Sequence, residues 1–291
     1  MQAPLHRRAG RSLRAYLELT KPRITALLLL VTAASFLLAR PGTPDWAGLL
    51  ALVGCLWLLA AGLFALNHFQ ERGLDARMPR TRNRPLPAGR LQPAEALGFG
   101  LALTLLALAG TTLRFGWLAG GLALFTLASY LFVYAPLKLR TPYHAALGAL
   151  SGATPPLLGW AAAAGGLSPA AGLLAVMLFF WQFAHFLAIG ALYAAEYRTA
   201  GVRVLPTERG GQARLLLVGS QVLLVLASGG TVPAGLSRPA YLAGAGLLGG
   251  LYLALGFHTA RRGRPRDYRQ LAAASVLYLA ALFVLLLALR A

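Results

Sequence analysis

Long apolar stretches separated by shorter polar segments form the dominant pattern along the 291-residue chain. Each stretch holds about 17 to 25 residues, which as a helix is enough to cross the roughly 30 Å hydrocarbon layer of a bilayer. The pattern predicts an all-α, polytopic membrane protein with about nine transmembrane helices. The predicted spans are 22–39, 46–69, 94–113, 117–135, 142–164, 169–193, 213–230, 239–258 and 270–289.

The composition agrees with a membrane protein, since 58% of the residues are hydrophobic and 12% are charged. Soluble domains carry about 25% charged residues. The only cysteine, Cys55, lies within a predicted span, which excludes a disulfide framework. The first span follows a basic leader but lacks a small-residue cleavage site near Ala39, so we expect a retained helix rather than a signal peptide. We treat residues 1–291 as a single integral membrane domain.

The net charge of +19 would suit a nucleic-acid-binding protein, but its placement indicates membrane topology instead. With nine spans, 23 of the 27 lysines and arginines fall in connections on one side of the membrane. The other side has only Arg40, Arg114, Arg238 and Arg290. The positive-inside rule then predicts a multi-pass protein of the cell (inner) membrane with a cytoplasmic N-terminus and an outer C-terminus. The remaining role of the charge is attraction to anionic lipid, and no nucleic-acid partner is expected.

Two long cytoplasmic connections, about 70–93 and 194–212, hold four of the eight acidic residues. Functional residues are found in loops more often than in the elements that loops connect. The two connections follow predicted spans 2 and 6, so they would be equivalent if the chain were two four-helix units plus a ninth helix. No residue-level repeat supports this symmetry. We predict that both connections belong to the active site.

Three residues with side-chain oxygens, Asn67, Glu71 and Asp75, follow one another at intervals of four where span 2 ends. On a helix they share one face, with about 80° of drift across the set. Mg²⁺ takes such ligands, often one or two carboxylates together with substrate phosphates. The alternative is a solvated helix end whose acids pair with nearby arginines. The spacing alone does not decide between these interpretations.

Cationic side chains lie close to these acids in the sequence. Segment 77–90 holds five arginines, whose planar guanidinium groups suit phosphate oxygens, and Lys138 and Arg140 follow span 4. A positive-inside loop explains the charge but not the adjacent carboxylates, which favours a polyanion and its metal between them. Glu196 of the second connection could complete a metal site from the other half of the bundle. Taken alone, Glu196 fits an ordinary surface acid better.

A histidine within a span is a further candidate for function. His185 lies about eight residues from the end of predicted span 6, roughly 12 Å inside the helix end. Ionisable residues in a membrane usually face a cavity, and a neutral imidazole is a common iron ligand. The alternative is a hydrogen bond to a neighbouring helix. His68 and His144 lie near span ends and are expected to be structural, and His258 receives no role. Glycine and proline residues in segment 152–160 interrupt span 5. They could allow close helix packing or form a kink that lines a cavity, and the sequence does not separate these two interpretations.

At these residues the sequence resembles the UbiA superfamily of intramembrane prenyltransferases, and within it the heme O synthase branch. The resemblance covers nearly the whole chain, from Leu19 to span 9. The segments that carry it are Asn67 to Asp75 with Met78, Arg80 to Pro85, Tyr134 to Thr141, Gly152 to Trp160, and Trp181 to Pro206. Glu71 and Glu196 stand where the superfamily usually has aspartate, which keeps the carboxylate but lengthens the side chain.

The resemblance implies a UbiA-like bundle that transfers a farnesyl group from farnesyl diphosphate to the vinyl group of heme B, with Mg²⁺ as cofactor. The implied catalytic residues and metal ligands are Asn67, Glu71, Asp75 and Glu196. The implied diphosphate-binding residues are Arg72, Arg80, Arg84, Lys138, Arg140 and Tyr134. His185 is the implied heme-binding residue. The expected partners are both substrates and membrane lipid, and contact with other membrane proteins of heme biosynthesis is left open.

Two other functions stay open. A UbiA-type prenyltransferase could instead use an aromatic acceptor such as hydroxybenzoate. A transporter of anionic substrates could use the arginines as a vestibule. A transporter is expected to carry charged residues near mid-membrane on several helices, whereas here only His185 lies well inside a span.

Overall fold

The computed structural model describes residues 13–40 and 42–291, and helices form all of its regular structure except one isolated β-bridge between Ser237 and Arg290. After a helical stretch at 13–19 come α1 (Pro22–Ala39), α2 (Trp46–Asp75), α3 (Pro93–Ala128), a π-helix (Ser129–Tyr134), α4 (Ala135–Leu137), α5 (His144–Gly152), α6 (Thr154–Ala164), α7 (Pro169–Leu192), α8 (Ala194–Ala200), α9 (Leu205–Glu208), α10 (Gly210–Gly229), α11 (Tyr241–Arg262) and α12 (Pro265–Ala288). The prediction of an all-α protein is confirmed. Part of the basic N-terminal segment, residues 1–12, lies outside the described residues.

Seven stretches in the described part of the chain are long and apolar enough to cross a membrane. They are Pro22–Ala39, Trp46–Asp75, Pro93–Leu137, Pro169–Leu192, Gly210–Gly229, Tyr241–Arg262 and Pro265–Ala288. The prediction of a polytopic membrane protein is therefore confirmed. The count of nine spans, the cytoplasmic N-terminus and the outer C-terminus stay predictions.

The longest of these stretches, Pro93–Leu137, reverses direction in its middle. Gly116 has φ 87° and ψ 174°, a conformation that glycine adopts without steric strain. A Cβ on Gly120 would collide with the side chain of Thr112 and lie 3.3 Å from its Cα. Residues eight apart in a straight helix are about 12 Å apart, so the chain folds back here as a helical hairpin. This geometry agrees with two spans on either side of residues 114–116.

Helix α2 packs against the first half of α3 with their backbones close together. A Cβ on Gly62 would lie 2.9 Å from both the carbonyl oxygen of Gly100 and the amide nitrogen of Thr104. A Cβ on Gly100 would lie 2.8 Å from the side chain of Leu66. Small residues allow such approach, which favours helix association inside a membrane. The packing fixes the direction of α2 and thereby the position of the polar residues at its C-terminal end.

Predicted span 142–164 consists of two shorter helices, α5 and α6, that meet at a break. Helix α6 lies against α1, where a Cβ on Gly159 would collide with the carbonyl oxygen of Thr32. The Ser35 hydroxyl donates to the Pro156 carbonyl at 2.6 Å and joins the same two helices. The glycine and proline residues of this segment therefore serve close helix packing, which is one of the two interpretations that the sequence left open.

The second half of the bundle is built from α7, α10, α11 and α12, whose buried apolar residues form, with some from α1 and α6, the largest buried cluster among the described residues. Lipid tails are as apolar as leucine, so van der Waals packing and hydrogen bonds hold these helices together more than water exclusion does. One such bond joins α7 to α12, where the Trp181 indole N–H donates to the Ser275 carbonyl at 2.7 Å.

Candidate active site

Two loops meet at the C-terminal end of α2. The first loop, residues 76–92, follows α2, and the second loop, residues 193–209, follows α7 and includes α8 and α9. Met78 of the first loop packs with Val202 and Val204 of the second in a small buried cluster. The backbone N–H of Arg80 donates to Glu196 Oε2 at 3.3 Å. The structure thus brings together the two segments in which we predicted the active site.

Beneath the two loops lies a cavity of about 190 Å³. Its ionisable, amide and phenol-bearing lining residues are Lys21, Asn67, Glu71, Asp75, Arg80, Arg84, Tyr130, Tyr134, Lys138, His144 and Tyr197. Four lysines and arginines therefore face two carboxylates. A cavity with such an excess of positive charge attracts and concentrates a polyanion.

Asp75 is the most deeply buried acid of the site, with 1% of its surface exposed. Arg84 Nη1 donates to both of its carboxylate oxygens at 2.8 Å. The Thr81 hydroxyl donates to the Asp75 carbonyl at 2.8 Å, which folds the first loop back over the helix end. Because a buried carboxylate needs a charge partner, the loop conformation and the position of Asp75 depend on each other.

Glu71 forms the second ion pair of the cavity. Lys138 Nζ lies 2.6 Å from Glu71 Oε1, and both side chains are mostly buried. The ammonium group also lies 4.5 Å from the centre of the Tyr134 ring. Burial alone would lower the pKa of Lys138. Tyr134 and the Glu71 carboxylate together raise it by more than burial lowers it, so the pKa lies above its usual range. Lys138 is therefore a permanent cation of the cavity.

Lys21 lines the cavity, although the sequence analysis assigned it no role. Its ammonium group donates to Asn67 Oδ1 at 3.3 Å and lies 4.7 Å from the centre of the Phe64 ring. Burial lowers the pKa of Lys21 to about 7, and the charge of Arg84 also lowers it. Its backbone is left-handed, with φ 46°, which a non-glycine residue keeps only when its surroundings hold it there. The available sequence signal was a lysine directly before the proline that starts the first span.

Aromatic residues form part of the wall of the cavity. The Tyr134 ring stacks on Phe186 with centroids 6.0 Å apart and lies 5.8 Å from the His144 ring. Both ring nitrogens of His144 are buried without a hydrogen-bond partner among the described residues. We expected His144 to be structural, and the structure places it in the cavity wall. Its position at a span end gave no signal that it would face the acids.

Three predicted site residues lie outside the lining of the cavity. Arg72 is exposed, and its guanidinium donates to the carbonyl of Phe69 in its own helix at 2.7 Å. Arg140 is also exposed, and its carbonyl accepts a hydrogen bond from Arg203 Nη1 at 2.8 Å. Glu196 is half-buried at the rim, next to the backbone of Arg80. Their roles in metal or diphosphate binding stay predictions.

His185 also lies outside the lining, although its neighbour Phe186 belongs to it. Its Nδ1 lies 2.7 Å from the hydroxyl of Ser275 in α12, and its ring stacks on Trp181 with centroids 5.3 Å apart. The hydrogen bond to a neighbouring helix, which was the alternative interpretation of this residue, is therefore present. Contact between His185 and heme stays a prediction.

The described residues contain no cluster of three or more His, Cys, Asp and Glu side chains placed to hold a metal ion. The oxygen donors of the cavity nevertheless fit Mg²⁺, because Asn67, Glu71 and Asp75 all line it and substrate phosphates supply further ligands to this ion. Arg84 and Lys138 are bonded to the two carboxylates. A metal at Asp75 therefore competes with Arg84 for both carboxylate oxygens, and a metal at Glu71 Oε1 competes with Lys138.

Comparison with known proteins places the chain among prenyltransferases. Residues 28–282 match the sequence profile of the UbiA prenyltransferase family. The protoheme IX farnesyltransferase of Solibacter usitatus (strain Ellin6076) is 39% identical, over 94% of this chain and 98% of its own length. The enzyme of the same name from Sorangium cellulosum (strain So ce56) is 43% identical, over 85% and 89%.

Solved structures share the fold. A digeranylgeranylglyceryl phosphate synthase superposes with a TM-score of 0.79 at 17% identity, over 95% of this chain and 98% of its own. A UbiA homologue from Archaeoglobus fulgidus bound to GPP and Mg²⁺ has a TM-score of 0.65 at 16% identity, over 94% and 99%. At such identities the likeness concerns the fold alone, and it confirms the expected UbiA-like bundle.

Proposed function

The chain belongs to the UbiA prenyltransferase family, and from that premise we propose that it transfers a farnesyl group from farnesyl diphosphate to the vinyl group of heme B, which gives heme O. Relatives at 35–43% identity that are named protoheme IX farnesyltransferase support this choice of donor and acceptor. The observation that carries the proposal is the cavity in which four lysine and arginine side chains, two carboxylates and an amide converge next to apolar helices.

The ion pairs of the cavity suit an exchange of partners when the diphosphate binds. Glu71 and Asp75 are bonded to Lys138 and Arg84, so each group already has a partner of opposite charge. On binding, the carboxylates would turn to the metal and the two cations to the phosphate oxygens, so that no buried charge is left alone. Arg80 adds a further cation to the same space, and Lys21 adds an ammonium donor when it is protonated. Asn67, Glu71 and Asp75, with Glu196 at the rim, would hold Mg²⁺, which would neutralise the diphosphate as a leaving group.

The reaction begins when the bond between the first farnesyl carbon and the diphosphate oxygen breaks and the oxygen keeps the electron pair. Arg84, Lys138 and Arg80 stabilise the charge that develops on this oxygen. The remaining allylic cation lies beside the Tyr130 and Tyr134 rings, whose faces stabilise a cation. The vinyl electrons of heme B form the new carbon–carbon bond. Water adds to the resulting cation beside the porphyrin and loses a proton, so farnesyl diphosphate, heme B and water give heme O and diphosphate.

Exclusion of bulk water from the allylic cation is the task of the second loop. Val202 and Val204 are 4% and 5% exposed and line the cavity next to Met78 of the first loop. These apolar side chains cover the polar end of the cavity, which protects a cation that water would otherwise capture. The farnesyl chain and the porphyrin lie among the apolar helices. The proposed location is the cell (inner) membrane, where both substrates are dissolved.

The proposal is tested by incubating membranes that contain the protein with heme B, farnesyl diphosphate and Mg²⁺, followed by mass analysis of the pigments. We expect heme O with wild-type protein and none with the Asp75→Ala variant. A parallel incubation replaces heme B with 4-hydroxybenzoate. Formation of prenylated hydroxybenzoate without any heme O would show that the acceptor is an aromatic compound and not heme B. Absence of any prenylated product would refute the proposed activity.

A further inference from the structure

The imidazole of His185 is held on two sides where α7 crosses α12. Its Nδ1 lies 2.7 Å from the Ser275 hydroxyl, and Ser275 is 1% exposed. The Trp181 ring stacks on the imidazole at an interplanar angle of 16°. The Trp181 indole N–H itself donates to the carbonyl of Ser275 at 2.7 Å. One serine thus anchors both the imidazole and the indole on which it stacks.

The two oxygen contacts of Ser275 bear on which nitrogen of His185 carries the proton. The Ser275 hydroxyl oxygen lies 2.8 Å from the carbonyl oxygen of Ala272, within donating distance. A hydroxyl has one proton, so when Ser275 donates it to this carbonyl, its oxygen accepts from the Nδ1–H of the imidazole. The other nitrogen, Nε2, then has a free electron pair. It makes no hydrogen bond to any described residue and is not among the fully buried nitrogen atoms.

We propose that Ser275 is a positioning residue that holds His185 in the Nδ1–H tautomer, so that Nε2 binds the iron of the heme acceptor. The inference rests on the proposed function, because it takes heme as the acceptor. A hydrogen bond at one imidazole nitrogen fixes the tautomer and orientation of a histidine that binds metal through the other. The next residue, Phe186, lines the cavity proposed for the diphosphate. The His185 and Phe186 ring centroids lie 6.5 Å apart, so heme bound at His185 would lie next to this part of the cavity wall.

The tautomer is tested first in the absence of heme. Protein labelled with ¹⁵N-histidine distinguishes a protonated Nδ1 from a protonated Nε2 by chemical shift, and comparison with His185→Gln assigns the signal. We expect the Nδ1–H form for wild-type His185. A wild-type signal from the Nε2–H form overturns the inference without the use of any Ser275 variant.

The role of Ser275 is tested by heme titration and by the iron–histidine stretching band in resonance Raman spectra of ferrous heme. We expect this band in wild-type protein and none in His185→Ala. In Ser275→Ala we expect heme affinity to fall about 10-fold, as is typical when a partner of a ligating histidine is lost. The band should also move to lower frequency, because the imidazole loses its hydrogen-bond acceptor. Ser275→Thr keeps the hydroxyl, so we expect wild-type heme affinity and a wild-type band frequency in this variant.

A matched control is Ser220→Ala in α10. The Ser220 hydroxyl donates only within its own helix, to the Leu216 carbonyl at 2.6 Å, so its loss should leave the band and the affinity unchanged. Unchanged band and affinity in Ser275→Ala overturn the inference. Wild-type protein that makes heme O without an iron–histidine band also overturns it, while the proposed function stands. Failure to make heme O at all is the separate failure of the proposed function.

Discussion

The two loops that cover the cavity follow long helices in similar positions, but they contribute different chemistry. The first loop covers the buried Asp75 and supplies its partner Arg84, whose Nη1 donates to both carboxylate oxygens. The second loop has its acids at the surface, with Glu208 paired to Arg203 and Glu196 at the rim. What the second loop places in the cavity is apolar or aromatic. Of the two loops, the first therefore contributes charge for the diphosphate and the second contributes protection from water.

This difference explains how a pattern that looks symmetric along the chain can form an asymmetric site. From the sequence we predicted metal ligands in both connections, Glu71 and Asp75 in 70–93 and Glu196 in 194–212, together with Asn67. A diphosphate and its metal need several charges in one place, while the allylic cation needs a dry surface nearby. A division of these tasks between the loops meets both needs. The predictions below test this division, beginning with the largest expected effect.

Removal of divalent cations should abolish turnover. The reason is that the oxygen donors at the C-terminal end of α2 suit a hard cation, and the positive residues alone do not neutralise a diphosphate in the same geometry. The measurement is heme O formation in membranes after exhaustive chelation, followed by readdition of Mg²⁺. Full activity in chelated membranes would show that the reaction needs no metal and that the cationic side chains of the cavity alone stabilise the diphosphate.

Asp75→Ala and Glu71→Ala should each lower turnover by on the order of 100-fold or more, because each removes a group that acts on the leaving diphosphate. Both proteins should still insert, since the acids lie at the end of α2. The matched control is Asp45→Ala at the opposite end of the same helix, where Asp45 Oδ1 accepts a hydrogen bond from the Gly48 N–H at 2.8 Å. Loss of that cap should lower stability by about 1 kcal/mol and leave turnover per folded protein unchanged. Poor expression of Asp75→Ala and Glu71→Ala with normal specific activity would indicate a structural role for the acids.

Glu196→Gln should have a smaller effect, a decrease in turnover on the order of 10-fold. Glu196 is half-buried outside the cavity lining and accepts a hydrogen bond from the Arg80 backbone, so it orients the first loop. The variant keeps an oxygen acceptor at the same position. Turnover and the Mg²⁺ concentration for half-maximal activity are the quantities to measure. A decrease as large as that of Asp75→Ala, with a raised Mg²⁺ requirement, would indicate that Glu196 is a metal ligand. Both connections would then contribute to the metal site.

Glu208→Gln should give the smallest effect, with no measurable change in turnover or melting temperature. Arg203 Nε lies 2.7 Å from Glu208 Oε1, but both groups are exposed and their attraction is screened by solvent and salt. The Arg203 guanidinium lowers the pKa of the Glu208 carboxyl. Any stabilisation by the pair is therefore present at neutral pH and lost as the pH falls through that lowered pKa. A clear decrease in turnover at neutral pH would indicate that the surface of the second loop takes part in the reaction.

The helices were largely predictable because the membrane imposes their length. Predicted span 22–39 coincides with α1, and predicted span 169–193 exceeds α7 by one residue. Predicted span 46–69 ends six residues before α2 does. An apolar pattern marks only the part of a helix that lies in hydrocarbon, whereas backbone hydrogen bonds continue the helix into the polar region. That extension carries Glu71 and Asp75.

The site was predictable where it depends on one helix and not where it depends on packing between helices. The spacing of Asn67, Glu71 and Asp75 was sufficient to place them on one face. The partners of two of them, Lys21 and Lys138, are 46 and 67 residues away in the sequence. Such pairs follow from how the helices pack, which hydrophobic periodicity does not specify. For the same reason, the position of Ser275 beside His185 could not be predicted from the sequence pattern.

The central claim is that the metal and the diphosphate bind in the cavity at the end of α2. It is tested most directly by a structure with Mn²⁺ and a non-hydrolysable farnesyl thiodiphosphate, in which anomalous scattering locates the metal. We predict a Mn²⁺ peak within coordination distance of Glu71 and Asp75, with Arg84 and Lys138 moved from the carboxylates onto the phosphate oxygens. A metal peak elsewhere, with both ion pairs intact while the analogue is bound, would contradict the account.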